Sequence, residues 1–265
     1  MQLETQLGEQ AQIGVAIYQP QTADLWSYRG DERFPLTSTF KTLACAKVLS
    51  DVEQGKLSLT DSMTITPQQV LDYAPVTKNY IGKEFSLNQA CEAALTMSDN
   101  TAANQILTQI GGPKALTQYL QSIDDEVTRL DRYEPELNQA RDGDPRDTTT
   151  PKAITLSLSK IILGDSLTPA SRAQLIDWME ANKVADPLMR QVLPQGWRIA
   201  DRSGAGGFGA RSMTAIVWPS HSDAFILSVY IKNTNKNMDI RNSVIREISQ
   251  KTINLIQKTP SEETQ

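Results

Sequence analysis

The chain has 265 residues, a net charge of -5 and a hydrophobic fraction of 39%. These values describe an ordinary globular protein, long enough for a core that needs no metal ion or disulfide to stabilise it. Because the net charge is negative, the protein lacks the positive electrostatic potential that attracts a phosphate backbone, which argues against nucleic acid as a partner. No apolar run approaches the roughly 18 residues of a membrane span, and no signal peptide opens the chain. We therefore expect no membrane partner.

Strands are predicted near both ends of the chain. Ile13, Val15 and Ile17 recur at every second position, which is typical of a half-buried strand. Four further strands are predicted at residues 25–28, 198–202, 213–218 and 224–232.

The last part of the chain predicts a long helix, because apolar residues from Ile240 to Ile256 recur at helical spacing. This helix should cover a sheet to which both ends of the chain contribute. We predict disorder only for residues 259–265.

The middle of the chain is predicted to be mostly helical. Gly55 ends a helix that begins near Thr39, and Gly111 and Gly112 separate two more helices. Thr168 precedes a proline that opens another.

Strands at both ends around a helical middle indicate an α/β (α+β) fold with two domains. We place an α/β domain at residues 1–34 and 183–265, and an all-α domain at residues 35–182. The active site is expected in the cleft between them.

Ser38 and Lys41 belong to the first of four polar motifs, Ser-Thr-Phe-Lys. Three residues apart on a helix, their side chains share one face and reach each other. A neutral amine can accept the serine proton, and Ser38 at the helix start keeps its backbone N–H free to stabilise an oxyanion. Alone, the pair would be an N-cap and a solvated lysine, but three further motifs follow in order and favour a serine nucleophile.

The second motif, Ser98-Asp99-Asn100, separates two apolar stretches and predicts a helix boundary. Asp99 is expected to cap the second helix, while Ser98 and Asn100 face the cleft. The single histidine of the chain, His221, lies in a predicted loop between two strands, which argues against a Ser-His-Asp triad. The role of base therefore falls to Lys41 or to a carboxylate.

The third motif begins at Glu134, which precedes a proline inside the charged segment 131–150. This segment lacks a regular period, and long loops of that kind are usually functional or disordered. The peptide bond before the proline can become cis at small cost, so an unusual turn is expected here.

The fourth motif, Arg202-Ser203-Gly204, ends one predicted strand and leads into a glycine-rich turn. Its small residues let a ligand approach the backbone closely. Arg202 and Arg211 supply two permanent cations near this edge, which suits a substrate that carries a carboxylate.

With these residues in order, the chain resembles class A serine β-lactamases, and within them the carbenicillin-hydrolysing group. The resemblance covers essentially the whole chain. It implies the fold shared by serine β-lactamases and DD-peptidases, with a five-stranded antiparallel sheet flanked by terminal helices plus an all-α domain. It also implies hydrolysis of the β-lactam amide bond of penicillins, including carbenicillin, through a serine acyl-enzyme that confers antibiotic resistance. The segments that carry it most clearly are 34–47, 131–138, 147–154 and 200–212.

The resemblance implies roles for the residues of acylation. Ser38 matches the acylated nucleophile, Lys41 its proton-relay partner, and Ser98 the group that protonates the departing lactam nitrogen. The N–H groups of Ser38 and Ala205 match an oxyanion hole, and Asn100 matches a contact to the side-chain amide of the substrate.

The resemblance also implies how the acyl-enzyme is hydrolysed. Glu134 and Asn138 match the pair that holds the hydrolytic water, with Glu134 as general base. Whether Lys41 or Glu134 is the base for acylation is disputed in the family and stays open. The implied substrate-binding residues also include Tyr73 at the mouth of the cleft and Arg202, Ser203, Gly204 and Arg211.

Structural roles are implied for two pairs of residues. Arg132 and Asp147 match an ion pair that closes the base of the loop carrying Glu134. The cysteine count alone leaves two possibilities for Cys45 and Cys91, which are two buried thiols or one disulfide. The resemblance favours the disulfide, and with it an oxidising compartment and a periplasmic location after removal of an export signal. We expect no cofactor. We expect no metal either, because two Cys and one His argue against a metal cluster. The protein is expected to be a monomer.

The sequence departs from most class A enzymes at Arg202, where lysine is usual and the carbenicillinases also have arginine. A guanidinium stays charged at any working pH, so Arg202 should act by binding and by its field. We expect it to favour penicillins with a second carboxylate, such as carbenicillin. Gly206 and Gly207 offer no side chain to bulky cephalosporins, which predicts a narrow, penicillin-centred spectrum.

Two other interpretations share the Ser-x-x-Lys machinery, namely a penicillin-binding DD-peptidase and a β-lactam-sensing module. Glu134 with Asn138 argues against the DD-peptidase, because a base that activates water turns a long-lived acyl-enzyme into turnover. A sensor is expected to carry a membrane or partner segment, and the sequence predicts none.

Overall fold

The computed structural model of the protein describes residues 2–258, apart from the side chain of Gln2. The segment 259–265, for which disorder is predicted, lies outside the described residues. Within residues 2–258 the helices are α1 (Gln2–Leu7), α2 (Phe40–Glu53), α3 (Leu87–Thr96), α4 (Asn100–Gln109), α5 (Pro113–Ser122), α6 (Pro151–Leu158), α7 (Pro169–Glu180) and α8 (Met238–Lys258). The strands of the same residues are β1 (Gln12–Gln19), β2 (Asp24–Tyr28), β3 (Phe34–Pro35), β4 (Ser62–Thr64), β5 (Glu84–Ser86), β6 (Thr148–Thr149), β7 (Arg198–Ala205), β8 (Arg211–Trp218) and β9 (Phe225–Lys232).

The main sheet is antiparallel, with five strands in the order β2-β1-β9-β8-β7. These are the five strands that the sequence predicts, so both chain ends do contribute to one sheet. The predicted bounds of one hairpin were too short. β7 continues to Ala205 and β8 begins at Arg211, because these two residues still pair before the chain turns.

The sheet separates two hydrophobic clusters. Side chains of one face, such as Ala215, pack with Val244 and Ile245 of α8. Neighbouring positions, such as Ile216 and Tyr230, point to the opposite face and join the cluster of the helical part. The predicted C-terminal helix therefore covers one face of the sheet, as expected.

Helix α2 is the central helix of the helical part. It contacts α3, α4, α5 and α7, and residues 40–46 are all buried, so the helix has no polar face there. Neighbours on all sides hold its first turn in a fixed position. Lys41 in that turn therefore lies inside the protein, which contradicts its interpretation as a solvated lysine.

The sheet and the helical part meet where β7 passes the 3₁₀ turn Thr37–Thr39. A second contact between the helical part and the sheet is made by Asn182, whose side-chain amide donates to the backbone oxygen of Asp201 on β7 (3.0 Å). The domain boundaries after residues 34 and 182 stay a prediction. Among the helices of residues 2–258, none combines the length and the apolar character needed to span a bilayer.

The turn between β7 and β8 leaves no room for a side chain at Gly209. Its φ is +70°, and a Cβ there would lie 1.9 Å from the backbone oxygen of Thr234. The N–H of Thr234 donates to the carbonyl oxygen of Phe208 (3.1 Å), so this turn is fixed to the segment that follows β9.

Gly209→Ala is expected to lower the free energy of unfolding by about 3 kcal/mol or more, because a backbone clash adds to the left-handed strain of about 1 kcal/mol. Gly55→Ala is the matched control, since Gly55 also has a positive φ (+69°) but open space where a Cβ would lie. Urea unfolding followed by circular dichroism measures both. Equal losses in the two variants would contradict the packing argument.

Candidate active site

Contacts join the four motifs into one cluster. Ser98 Oγ lies 3.3 Å from Ser38 Oγ and 3.3 Å from Lys41 Nζ. Lys41 Nζ lies 3.2 Å from Glu134 Oε1, and Arg202 Nη2 donates to Ser98 Oγ. Residues from four separate segments of the chain are thus brought together, as the sequence predicts.

Ser38 is the middle residue of the 3₁₀ turn Thr37–Thr39, directly before α2. The first residues of a helix have no intrahelical acceptor for their N–H groups, which leaves these donors available. Strand β7 lies against this turn, since a Cβ at Gly204 would be only 2.6 Å from Ser38 N. The glycine of the fourth motif is therefore required for the nucleophile to pack on the strand. Ala205 follows it at the half-buried end of β7.

The ammonium of Lys41 is buried among oxygens. Its Nζ donates to Ser98 O (2.9 Å) and Asn100 Oδ1 (2.6 Å), and Glu134 Oε1 is the third neighbour. Burial lowers the pKa of Lys41 to about 8, although attraction to Glu134 raises it. Among the hydrogen bonds of residues 2–258, the link from Lys41 to Ser38 runs through Ser98. An amine with this pKa is partly neutral near neutral pH and can accept a proton.

Asp99 caps α4, as predicted. Its Oδ1 accepts the N–H of Ala102 (2.9 Å), and its Oδ2 accepts the N–H of Thr77 (2.9 Å). The following residue, Asn100, donates its N–H to the carbonyl oxygen of Tyr73 (3.0 Å). The ring of Tyr73 is exposed, so an aromatic side chain is available at the outer side of the cluster.

The carboxylate of Glu134 lies between Lys41 and Asn138, whose side-chain amide donates to Oε2. Asn104 on α4 fixes the backbone of Glu134. Its Oδ1 accepts the N–H of Glu134 and its Nδ2 donates to the carbonyl oxygen, both at 2.8 Å. Asn104 is not part of any of the four sequence motifs. The available signal was its position four residues after Asn100, on the same helix face.

Arg132 and Asp147 form the predicted ion pair, with Nε and Oδ2 2.5 Å apart. Asp147 Oδ1 also accepts the N–H of Asp131 (2.7 Å) and of Arg132 (2.9 Å). The carboxylate is fully buried, so its charge depends on these partners. The loop that the pair closes contains the 3₁₀ turn Glu136–Gln139, and the peptide bond before Pro135 is cis.

Arg202 is fully buried, and its guanidinium is only partly used by the protein. Nη2 donates to Ser98, whereas Nε and Nη1 have no hydrogen-bond partner among the described residues. Burial lowers the pKa of Arg202 to about 10, which still leaves the group charged near neutral pH. Unused buried donors on a charged group suit an anionic ligand.

Arg211, in contrast, is bound on two sides. Nη1 donates to Gly204 O (3.0 Å), and Nε donates to Asn242 Oδ1 on α8 (2.8 Å). Burial lowers the pKa of Arg211 to about 10. Asn242 was missed by sequence analysis, although a buried amide on an apolar helix face is a recognisable signal. Ser203 is buried nearby, with a long contact from Oγ to Val184 O (3.5 Å).

Cys45 on α2 and Cys91 on α3 are buried and free, so the structure differs here from the disulfide that the resemblance favours. Burial raises the pKa of the Cys91 thiol well above its ordinary value, and the neighbouring Cys45 adds to this effect. Disulfide formation proceeds through the thiolate, and a raised pKa keeps the buried thiol of Cys91 in its protonated form in this reduced state. His221 is exposed in the loop between β8 and β9, as predicted.

Comparison with known proteins agrees with this geometry. A family model described as the beta-lactamase enzyme family matches residues 2–256. Beta-lactamase PSE-4 of Pseudomonas aeruginosa is 50% identical over 238 residues, which cover 90% of this chain and 83% of that protein. Beta-lactamase AER-1 of Aeromonas hydrophila is 45% identical over 239 residues, which cover 90% and 79%.

Solved β-lactamase structures have the same fold. The chromosome-encoded β-lactamase of Vibrio parahaemolyticus has a TM-score of 0.94 and 46% identity, with 97% of each chain covered. An ancestral class A β-lactamase has a TM-score of 0.93 and 46% identity, with 96% of this chain and 97% of that chain covered. The predicted fold is therefore confirmed. Sequence, fold and the cluster around Ser38 agree, and the chain belongs to the β-lactamase enzyme family as a class A member.

Proposed function

We propose that the protein hydrolyses the β-lactam amide bond of penicillins through an acyl-enzyme on Ser38, and that this activity confers antibiotic resistance. One continuous set of contacts carries the proposal, from Ser38 through Ser98 and Lys41 to Glu134 and Asn138. It supplies a nucleophile, a proton path and a base for water in one place. The relatives named above are β-lactamases, which supports the same reaction class.

In acylation, Ser38 Oγ attacks the lactam carbonyl carbon and gives its proton to the base, Lys41 or Glu134, while the C–N bond of the ring breaks. Ser98 Oγ, 3.3 Å from Ser38 Oγ, is placed to protonate the departing nitrogen. The N–H groups of Ser38 and Ala205 would bind the oxyanion. With a pKa of about 8, roughly a tenth of Lys41 is neutral at pH 7. Glu134 Oε1 lies 3.2 Å from the amine as the next proton acceptor.

In deacylation, Glu134 acts as the general base for a water molecule. Asn138 Oδ1 is a buried oxygen without a hydrogen-bond partner among residues 2–258, so it can accept from that water. Glu134 Oε1 lies against the amine of Lys41 at 3.2 Å, and a carboxylate oxygen has a second lone pair with which it can also accept from the water. The water gives a proton to Glu134 as its oxygen attacks the ester carbonyl, the bond to Ser38 Oγ breaks, and the proton taken by Glu134 is returned to Ser38 Oγ.

Arg202 is proposed to bind substrate carboxylate through Nε and Nη1, the two donors that the described residues leave unused. A penicillin has one carboxylate on its fused ring system, and carbenicillin has a second on its side chain. The field of a buried arginine acts on both, because a low-dielectric interior screens charge poorly. Arg211, held by Gly204 and Asn242, adds positive charge near the same strand end.

The penicillin-centred spectrum also follows from close packing. A Cβ at Gly206 would lie 2.8 Å from Asn138 O, and one at Gly207 would lie 2.4 Å from Gln139 O. The end of β7 therefore rests directly on the loop that carries Glu134. Such contact leaves little freedom for this edge to open for bulky cephalosporin side chains.

We also propose that the protein works as a monomer in the periplasm, where its cysteines would form a disulfide. Class A β-lactamases of Gram-negative bacteria are generally secreted or periplasmic. Cys45 and Cys91 are neighbours in the core and their thiols interact, so only oxidation and a small adjustment are needed.

The first test is intact-protein mass spectrometry during reaction with excess carbenicillin, with lactam absorbance followed in parallel. The wild type should consume lactam continuously with little persistent adduct. Glu134→Ala should accumulate an adduct of substrate mass, because acylation continues while the general base for hydrolysis is gone. Ser38→Ala is the control and should not be labelled.

Rapid multiple turnover by Glu134→Ala would contradict the role of Glu134, and labelling of Ser38→Ala would mean another nucleophile. A long-lived adduct on the wild type would favour the DD-peptidase or sensor interpretation.

The Glu134→Ala variant also tests the pH dependence of acylation. Removal of the carboxylate removes an effect that raises the pKa of Lys41, so the pKa falls below about 8. Adduct formation should then rise with pH around a midpoint below 8.

Arg202→Lys is expected to lower the ratio of carbenicillin to benzylpenicillin turnover, measured as kcat/KM, by roughly tenfold, because lysine loses the planar set of donors. Arg198→Lys is the matched control, since Arg198 lies on the same strand but is largely exposed and paired with Glu180. An unchanged ratio in Arg202→Lys would show that Arg202 does not recognise the second carboxylate of carbenicillin.

Protein secreted to an oxidising compartment is expected to have a mass two units below that of the reduced form, and to be alkylated at neither cysteine after denaturation. The disulfide should add about 2 to 4 kcal/mol to the free energy of unfolding. Cys91→Ala, measured with and without reductant, is the control and should not respond to it. Two alkylated cysteines in the exported wild type would refute the disulfide.

A further inference from the structure

A row of three residues crosses the sheet beneath the nucleophile turn. Gly204 on β7 pairs with Ser212 on β8, and Ser212 pairs with Tyr230 on β9. The row faces the 3₁₀ turn that contains Ser38. A Cβ at Gly204 would meet Thr37 Oγ1 at 2.0 Å, so the turn reaches the sheet only because this position has no side chain.

Hydroxyl groups connect this row to the turn in a defined direction. Thr37 Oγ1 lies 2.7 Å from Leu36 O and 2.7 Å from Ser212 Oγ. A carbonyl oxygen can only accept, so the single hydroxyl proton of Thr37 is donated to Leu36. Ser212 must then donate to Thr37. All of these groups are buried, and the order of donation is therefore fixed.

A second chain of the same kind lies on the other side of Ser38. Thr39 Oγ1 donates to Leu36 O (2.6 Å), and it lies 3.0 Å from the hydroxyl of Tyr230. By the same reasoning, Tyr230 donates to Thr39. The two chains use the same acceptor and begin at neighbouring strands, which makes them a matched pair for experiment.

The two chains differ in the backbone that they hold. Thr37 has a φ of +45°, which is unfavourable for a β-branched residue and persists only where surrounding contacts enforce it. Together with ψ of Thr37, this φ sets the direction of the peptide between Thr37 and Ser38. That peptide carries the N–H that Ser38 donates. The Cβ position of Gly204 would lie 2.6 Å from that nitrogen, and Ala205, the other proposed donor, is the next residue of β7. Thr39 lies after Ser38, in ordinary helical conformation.

We infer that Thr37 is a positioning residue, and that the hydroxyl chain from Ser212 through Thr37 fixes the N–H of Ser38 relative to the N–H of Ala205. The inference rests on the proposed function, because it concerns the oxyanion of that reaction. Donors act best when they lie about 2.7–3.1 Å from the developing oxyanion. A small displacement of one donor therefore weakens transition-state binding more than substrate binding.

Thr37→Val tests the inference with a side chain of the same shape. Valine keeps the β-branch, and with it the same cost at positive φ, but loses the hydroxyl. We expect kcat/KM for benzylpenicillin to fall about tenfold, mainly through kcat, and the affinity for a boronic acid that forms a tetrahedral adduct on Ser38 to fall by a similar factor. Thr37→Ser should restore both.

Ser212→Ala removes the other end of the chain and should reproduce the effect. The double variant Thr37→Val with Ser212→Ala should be little worse than either single variant, because residues that act as one unit are not additive. Thr39→Val is the matched control. It should lower Tm to a similar degree, since it also loses a buried hydroxyl, but change boronate affinity by less than about threefold.

The inference is overturned if Thr37→Val and Ser212→Ala lower Tm but leave kcat/KM and boronate affinity at the level of Thr39→Val, because Thr37 is then only structural. If Thr37→Val fails to fold, the same comparison of kcat/KM and boronate affinity is made between Ser212→Ala and Thr39→Val. Failure of the proposed function is distinguishable, since the wild type would then not turn over penicillin and would carry no label on Ser38.

Discussion

The buried ammonium of Lys41 is the group around which the rest of the site is arranged. An unpaired charge in an apolar interior is strongly destabilising, and here the side chains of both Lys41 and Glu134 are 0% exposed. The pair is tolerated because oxygens of Ser98 and Asn100 accept from the amine, and the amide of Asn138 donates to the carboxylate. The four motifs are therefore interdependent, since each satisfies a charge or donor that another brings into the interior.

Arg202 adds a second buried cation, which acts on the amine of Lys41 and, in the proposed function, on the ligand. Burial is the main cause that lowers the pKa of Lys41, and the charge of Arg202 lowers it further. The carboxylate of Glu134 acts on both cations, that of Asp99 also acts on Lys41, and that of Asp201 also acts on Arg202. The donors that Arg202 leaves unused among the described residues still suit an anionic ligand, and its charge helps to keep part of the lysine neutral and able to accept a proton. In the proposed function, one arginine would therefore serve recognition and proton transfer without itself losing a proton.

Sequence periodicity and motif order predicted the strands, the C-terminal helix and the residues of the cluster, because these features repeat locally or carry recognisable chemistry. The sequence did not reveal Asn104, Asn242 or the pairing of Thr37 with Ser212. Each of these joins elements that are distant along the chain. Helix-face position can mark Asn104 and Asn242 as candidates, but no local pattern identifies the partner of an amide or hydroxyl, because tertiary packing sets that partner. For the same reason, cysteine spacing alone left the bonding of Cys45 and Cys91 open.

Several strained or unsatisfied groups lie together at this site. Thr37 and Ser98 have positive φ angles, and buried atoms of Arg202 and Asn138 lack hydrogen-bond partners among the described residues. A chain selected for stability alone would not combine them. They persist because the site lies between two well-packed bodies, the sheet beneath the nucleophile turn and the fully buried start of α2. The packing that sequence periodicity specifies is thus what holds the donors and charges in place before substrate arrives, so that little reorganisation is needed during the reaction.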